Sequence, residues 1–177
     1  QNLMGQADIE CIVVCDIDSN ALKRIEKENV ILHDNPATVV KQFDLDSVIV
    51  ATPNETHYEL GTMFLNDGVD VFLEKPIATM FDHASSLVAT AVHEGKILKS
   101  GFLLRFHACI LDARTQIRAG RIGAIQSIRY SKSTQRQGDG SSHALDTLAI
   151  HGIDLAEFLL DGQTPLRISE IVGSSTS

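Results

Sequence analysis

Short apolar runs and amphipathic stretches alternate along the first hundred residues of the chain. The apolar runs are rich in Val and Ile, which predicts buried strands, as in Ile9–Cys15 and Val69–Leu73. The stretches between them space their apolar residues as helices do and begin near capping residues. Because strands that are apolar throughout are buried on both faces, this pattern predicts a doubly wound α/β domain with a parallel sheet.

Five strands and four helices are predicted in this domain. The strands are Ile9–Cys15, Val30–Leu32, Ser47–Ala51, Val69–Leu73 and Lys96–Phe102, and the helices are Ser19–Lys27, Pro36–Phe43, Glu55–Asn66 and Phe81–Glu94. Ser19 or Asn20 is expected to cap the first helix, and Asn35 precedes a proline in the first turn of the second. A doubly wound domain normally opens with a strand and a glycine-rich turn, but the sequence contains no G-x-G-x-x-G. We therefore expect the domain to be incomplete at its N-terminus, as in an internal segment of a longer enzyme.

The pattern changes after about residue 105. A helix is predicted over His107–Ala119, followed by an alternating strand over Ile122–Lys132, a helix over Ala144–Leu160 and a strand over Leu166–Val172. Alternation of apolar and polar residues is typical of a half-buried antiparallel strand. The prediction is therefore a doubly wound domain at residues 1–105, followed at 106–177 by the start of an α+β domain for substrate binding or oligomerisation.

Composition and charge narrow the possible partners. The 177 residues are 44% hydrophobic with a net charge of −8, which disfavours nucleic acid and anionic membranes. No apolar run approaches the roughly 20 residues of a membrane span, and the N-terminal residues do not resemble a signal peptide. Three cysteines, Cys11, Cys15 and Cys109, lack disulfide spacing, so we expect buried, reduced thiols in a cytoplasmic protein.

Glu74-Lys75-Pro76 follows the predicted strand Val69–Leu73. Open α/β sheets bind their ligands at the carboxyl ends of strands, and the proline ends the strand and restricts the backbone at Lys75. The position therefore favours a lysine presented to a ligand. A solvated lysine in a strand-to-helix turn is the alternative.

Two further strand ends carry candidate binding residues. Asp16 follows the strand Ile9–Cys15, where an acidic residue can accept hydrogen bonds from ribose hydroxyls and would repel a 2′-phosphate; alternatively it starts a turn in competition with Asp18. The turn Thr52-Pro53-Asn54 follows another strand and would pass close to a ligand there. His57, in the first helical turn, could hydrogen-bond a substrate or cofactor, or could simply belong to a helix start capped by Asn54.

Five segments in this order resemble the glucose–fructose oxidoreductase/inositol dehydrogenase (Gfo/Idh/MocA) family. They are Ala51–Leu60 (ATPNETHYEL), Glu74-Lys75-Pro76, Gly101-Phe102 with Arg105-Phe106, Gly120–Gly123 (GRIG) and His151–Asp154 (HGID). The resemblance covers essentially the whole chain. It implies an N-terminal Rossmann domain and a C-terminal domain whose open antiparallel sheet often forms the interface of a homo-oligomer.

The resemblance also implies an activity and roles for individual residues. The activity is hydride transfer between a nicotinamide cofactor and a hydroxyl or keto group of a sugar, nucleotide-sugar or cyclitol, with Lys75 positioning the reacting groups and His151 as general base. Glu74 in the same motif is a further cofactor-binding candidate. Arg105 could contact cofactor or substrate, with a solvated arginine as the alternative. Asp16 favours NAD over NADP.

The chain departs from the family pattern beside the histidine. The family usually has an aspartate four residues earlier, where this chain has Thr147, while Asp146 lies five residues earlier. Four residues turn a helix by about 400°, so Thr147 shares a face with His151 and could act as its hydroxyl partner. Alternatively, the turn before the helix is non-helical and Asp146 still points inward. Gly152 also replaces the commoner acidic residue after the histidine.

The sequence is also compatible with two other functions. A non-catalytic family member that binds cofactor or sugar is one alternative, and a reductase of the biliverdin or dihydrodiol type, which keeps the lysine and needs no His151, is another. A metal site is not expected, because the spacing of His143, Asp146, His151 and Asp154 fits no standard zinc pattern.

Overall fold

A computed structural model of the chain describes residues 3, 6–25, 30–132 and 149–161. The chain divides into two compact units, Gln1–Ser100 and Gly101–Ser177. The predicted division was placed after residue 105.

The first unit alternates strands and helices as the sequence pattern predicts. The strands are β1 (Ile12–Cys15), β2 (Val30–His33), β3 (Ser47–Val50), β4 (Asp70–Leu73) and β5 (Leu98–Ser100), and the helices are α1 (Ser19–Leu22), α2 (Pro36–Gln42), α3 (His57–Asn66) and α4 (Phe81–Glu94). Within the described residues every strand pair is parallel: β1 pairs with β2, and β4 lies between β3 and β5. The predicted parallel α/β architecture of a Rossmann-like fold is confirmed.

The core of the first unit lies between β3, β4 and the two helices α3 and α4. Its buried members are apolar: Val50, Phe64, Leu65, Val69, Val71, Leu73, Leu87 and Ala91. Gly61 allows α3 to approach closely, because a Cβ there would lie 2.9 Å from the Leu87 side chain and 3.1 Å from that of Leu73. This packing fixes α3, and with it His57 at its first residue, against the end of β4.

Three local predictions need correction, two of them at the helix α1. Asp18 rather than Ser19 or Asn20 caps α1, since its carboxylate accepts a hydrogen bond from the Asn20 N–H at 2.8 Å. The helix also ends at Leu22, earlier than predicted. The predicted burial of all three cysteines is wrong, because Cys11 and Cys109 are exposed and Cys15 is half-buried. The helix α2 begins at Pro36 as predicted, and Asn35 caps it by accepting a hydrogen bond from the Ala37 N–H at 2.9 Å.

The second unit contains two described helices, α5 (Ala108–Arg118) and α6 (Ile150–Leu160), and a 3₁₀ turn at Leu103–Phe106. Residues 122–132, predicted as a strand, form no paired strand in the described part of the chain. A strand is defined by its partner, and the predicted strand Leu166–Val172 lies outside the described residues. Among the helices of the described ranges, none is long and apolar enough to cross a membrane.

Candidate active site

Two turns lie side by side at the carboxyl ends of β3 and β4. The strands pair in register with Val50 opposite Leu73, and the Glu74 N–H donates to the Val50 carbonyl at 2.9 Å. The turn that begins at Thr52 and the turn formed by Glu74-Lys75-Pro76 therefore start from neighbouring positions. This places two of the predicted binding segments at one edge of the sheet.

His57 joins these two turns. Its side chain is completely buried, with Nδ1 lying 2.7 Å from the Pro76 carbonyl oxygen and Nε2 lying 3.0 Å from that of Thr52. Carbonyl oxygens only accept, so a neutral ring donates to one of them and an imidazolium to both. Because each ring nitrogen contacts a backbone carbonyl oxygen, both nitrogens of His57 have partners within the protein.

Hydroxyl groups hold the turn after β3. The Thr56 hydroxyl donates to the Pro53 carbonyl at 2.7 Å, so in the 2.6 Å contact between Thr52 and Thr56 the Thr52 hydroxyl is the donor. Asn54 begins a 3₁₀ turn, Asn54–Thr56. Its side chain was expected to cap the helix α3 but does not. The hydrogen bond from Thr56 to the Pro53 carbonyl closes this turn without the Asn54 side chain.

Lys75 is half-buried, and the bond between Lys75 and Pro76 is a cis peptide, which the sequence analysis did not predict. The Glu74 carboxylate accepts a hydrogen bond from the Lys75 backbone N–H at 3.2 Å. Glu74 thus supports the backbone of the turn that carries the lysine.

Asp16 follows β1 as predicted and is exposed. Its backbone N–H donates to the His33 carbonyl of β2, and its carboxylate accepts from the Asp18 N–H at 2.9 Å. The carboxylate is therefore held in the turn at the carboxyl end of β1. This geometry accommodates both alternatives of the sequence analysis, a turn residue and an acceptor for ribose hydroxyls.

In the second unit, His151 lies near the start of α6 and is half-buried. Three residues further, Asp154 is buried and binds the Arg105 guanidinium. Sequence reasoning treated Arg105 as a possible ligand contact and missed this pair, which joins residues 49 positions apart. The only available signal was an aspartate on the apolar side of a predicted helix.

The C-terminal end of α6 is fixed by a second group of charges. The Asp161 carboxylate accepts hydrogen bonds from Arg114 and Arg118 of α5, and these bonds hold its pKa below the ordinary value. Thr147, Asp146 and His143 lie outside the described residues. No group of three or more potential metal ligands occurs in the ranges that the structure describes.

A sequence profile for an oxidoreductase family with an NAD-binding Rossmann fold, Gfo/Idh/MocA, matches residues 1–102. The chain belongs to this family. It is 28% identical over 137 residues to scyllo-inositol 2-dehydrogenase (NAD(+)) of Bacillus subtilis, covering 73% of the chain and 40% of that protein. It is also 30% identical over 139 residues to 2,7-anhydro-N-acetylneuraminate hydratase of Mediterraneibacter gnavus, covering 71% of the chain and 36% of that protein.

A related solved structure carries ligands. The WlbA dehydrogenase of Chromobacterium violaceum, in complex with NADH and UDP-GlcNAcA, matches with a TM-score of 0.61 and 30% identity, over 64% of this chain and 33% of that one. This Gfo/Idh/MocA chain spans about two fifths of the length of the first curated relatives that it matches.

Proposed function

We propose that this chain is part of an NAD-dependent dehydrogenase that oxidises a hydroxyl group of a sugar, nucleotide-sugar or cyclitol. The observation that carries the proposal is the placement of Lys75 at the carboxyl end of β4, beside the Thr52 turn, in a chain of an NAD-binding oxidoreductase family. Relatives named as an inositol dehydrogenase and as a dehydrogenase with bound NADH and a nucleotide-sugar support the substrate class.

The described residues suit two parts of NAD. The exposed Asp16 carboxylate at the end of β1 can accept hydrogen bonds from ribose hydroxyls and would repel the 2′-phosphate of NADP. The turn Thr52-Pro53-Asn54 and the segment Glu74-Lys75 lie together at the next strand ends, where the other half of the cofactor would be held. No glycine-rich phosphate loop occurs in the 177 residues.

Each candidate residue has a chemical task in the proposed reaction. NAD, when bound, supplies the acceptor for a hydride. The Lys75 ammonium group stabilises negative charge that develops on the substrate oxygen, because a fixed cation beside an alkoxide lowers its energy. His151, as general base, takes the hydroxyl proton at a ring nitrogen, with Thr147 as its hydroxyl partner. Arg105 remains a candidate for cofactor contact, and the C-terminal sheet remains the expected oligomer interface.

The test measures NADH formation by the natural polypeptide that contains this chain. The substrates are myo-inositol, scyllo-inositol and a D-glucoside, each with NAD and with NADP. We expect Lys75→Met to lose about 100-fold or more in kcat/KM, as expected on removal of one charge-stabilising group. Lys41→Met is the matched control, because Lys41 is an exposed lysine in the last turn of α2 and should keep the wild-type rate.

Two outcomes would count against the proposal. A Lys75→Met variant with full turnover would remove Lys75 from the mechanism. Cofactor binding without turnover on any of these substrates would instead favour a non-catalytic binding role.

A further inference from the structure

An ion pair between buried Asp154 and partly exposed Arg105, whose side chain is 37% exposed, ties α6 to the 3₁₀ turn at Leu103–Phe106. The Arg105 Nε lies 2.9 Å from Oδ1 and 3.0 Å from Oδ2 of Asp154, and Nη2 also donates to Oδ1. The Asp154 side chain is only 5% exposed. A guanidinium that engages both carboxylate oxygens is a directional contact, so the pair fixes orientation as well as charge.

The pair lies on the same side of α6 as His151. Residues three or four apart on a helix are surface neighbours, which places His151, Asp154 and Phe158 along one stripe. The Arg105 Cζ lies 5.3 Å from the centre of the Phe158 ring, so the guanidinium contacts this stripe at two points. Asp154 therefore stands one helical turn from the imidazole, with Arg105 covering the stripe beyond it.

We propose that Arg105 and Asp154 form a positioning pair for His151. The pair holds this face of α6 in one orientation and keeps the charge of the Asp154 carboxylate, one helical turn from His151, neutralised, so that the imidazole can accept a proton. This inference deepens the proposed function, on which it rests for the role of His151 as general base.

Other charged groups on the elements packed against α6 have other partners or positions. Among the residues that the structure describes, the titratable groups of the packed elements besides Arg105 are Cys109, Asp112, Arg114, Arg118 and Tyr130, and those of α6 and its cap are Asp154, Glu157 and Asp161. Arg114 and Arg118 bind Asp161, Asp112 accepts from Gln116, and Glu157 is exposed. Asp161 lies ten residues after His151, which corresponds to about 15 Å along a helix and exceeds the Debye length at physiological salt.

Breaking the pair from either side has opposite electrostatic effects. Arg105→Met leaves the Asp154 carboxylate without its cation, which favours the protonated imidazole, so the acid limb of the pH profile of kcat/KM moves to higher pH. Asp154→Asn leaves the guanidinium without its anion, which favours the neutral imidazole, so the limb moves to lower pH. A shift of about one pH unit in each direction is expected for a charge so near.

The experiment compares these variants in the natural polypeptide with NAD and the substrate on which the wild type is most active. Arg105→Lys restores the charge but not the two-point contact, so its acid limb stays near the wild-type position while kcat/KM falls about 10-fold or more. The double variant Arg105→Met/Asp154→Leu removes both charges and should return the limb toward wild type. The double variant also allows the test if Arg105→Met alone does not fold, because replacing both members of a buried ion pair by apolar groups is often tolerated.

Asp161→Asn is the matched control, because it breaks an ion pair of the same helix far from His151 and should leave the acid limb in place. A second readout, NMR titration of the His151 ring assigned with His151→Asn, needs no turnover. Opposite shifts of its titration midpoint in the two single variants support the inference even if no substrate is oxidised, in which case only the proposed function fails. Shifts in the same direction, or no shift in either variant, overturn it.

Discussion

The contact of His57 with two backbone carbonyls gives a quantitative test of how the site is held. His57→Phe keeps a ring of similar size but removes both nitrogens, which lie 2.7 Å and 3.0 Å from the carbonyl oxygens of Pro76 and Thr52 in a fully buried position. A buried acceptor left without a donor costs about 1–3 kcal/mol. Since a neutral ring donates to one of the two carbonyls, we expect His57→Phe to lower the free energy of unfolding by about 1–3 kcal/mol, a sizeable share of the roughly 5–15 kcal/mol typical of a domain.

Urea unfolding followed by circular dichroism measures this loss as a lower midpoint with an unchanged slope. His57→Ala adds a cavity and should cost about 1–2 kcal/mol more than His57→Phe. The control is His93→Ala, whose side chain is 84% exposed, and it should stay within about 0.5 kcal/mol of wild type. A His57→Phe variant as stable as the control would show that the two contacts do not hold the turns.

Two further predictions concern close packing and thiol chemistry. Gly152→Ala should destabilise the protein by about 1–3 kcal/mol, because a Cβ there would lie 2.6 Å from Cδ1 of Tyr130. In a Tyr130→Ala background the same change should stabilise the protein by up to about 1 kcal/mol, since alanine has the higher helix propensity. Calorimetry that found no such reversal of sign would refute the contact. At about pH 8, iodoacetamide should label Cys11 and Cys109 before Cys15. Burial and two nearby carboxylates raise the pKa of the Cys15 thiol and so lower its thiolate fraction. Peptide mass spectrometry that found Cys15 labelled first would contradict this prediction.

Several features of the first unit followed from local sequence pattern. The apolar runs predicted all five strands within a few residues, and Phe81–Glu94 was predicted with the bounds that the structure has. The start of α2 at Pro36 also followed, because proline is favoured in the first turn of a helix. At the start of α1 the prediction of Ser19 or Asn20 as cap was wrong and Asp18 is the cap, because neighbouring Asp, Ser and Asn residues all satisfy the same local rule.

The exposure of the cysteines could not be obtained in this way. Cys11 lies in an apolar run but just outside β1, and Cys109 lies on α5, where the side that packs depends on the neighbouring elements. Composition indicates that a residue type is usually buried, but burial of one residue depends on what covers it.

The sequence by itself determined the order of strands and helices, the position of Lys75 at a strand end and the resemblance to an NAD-binding family. These depend on neighbours within a few residues, which sequence patterns report directly. Only the tertiary structure showed that His57 bridges Thr52 and Pro76 and that Arg105 pairs with Asp154, contacts that span 19 and 49 positions. Such contacts depend on which faces of distant elements pack together, and the energy that selects those faces belongs to the folded core rather than to any local segment.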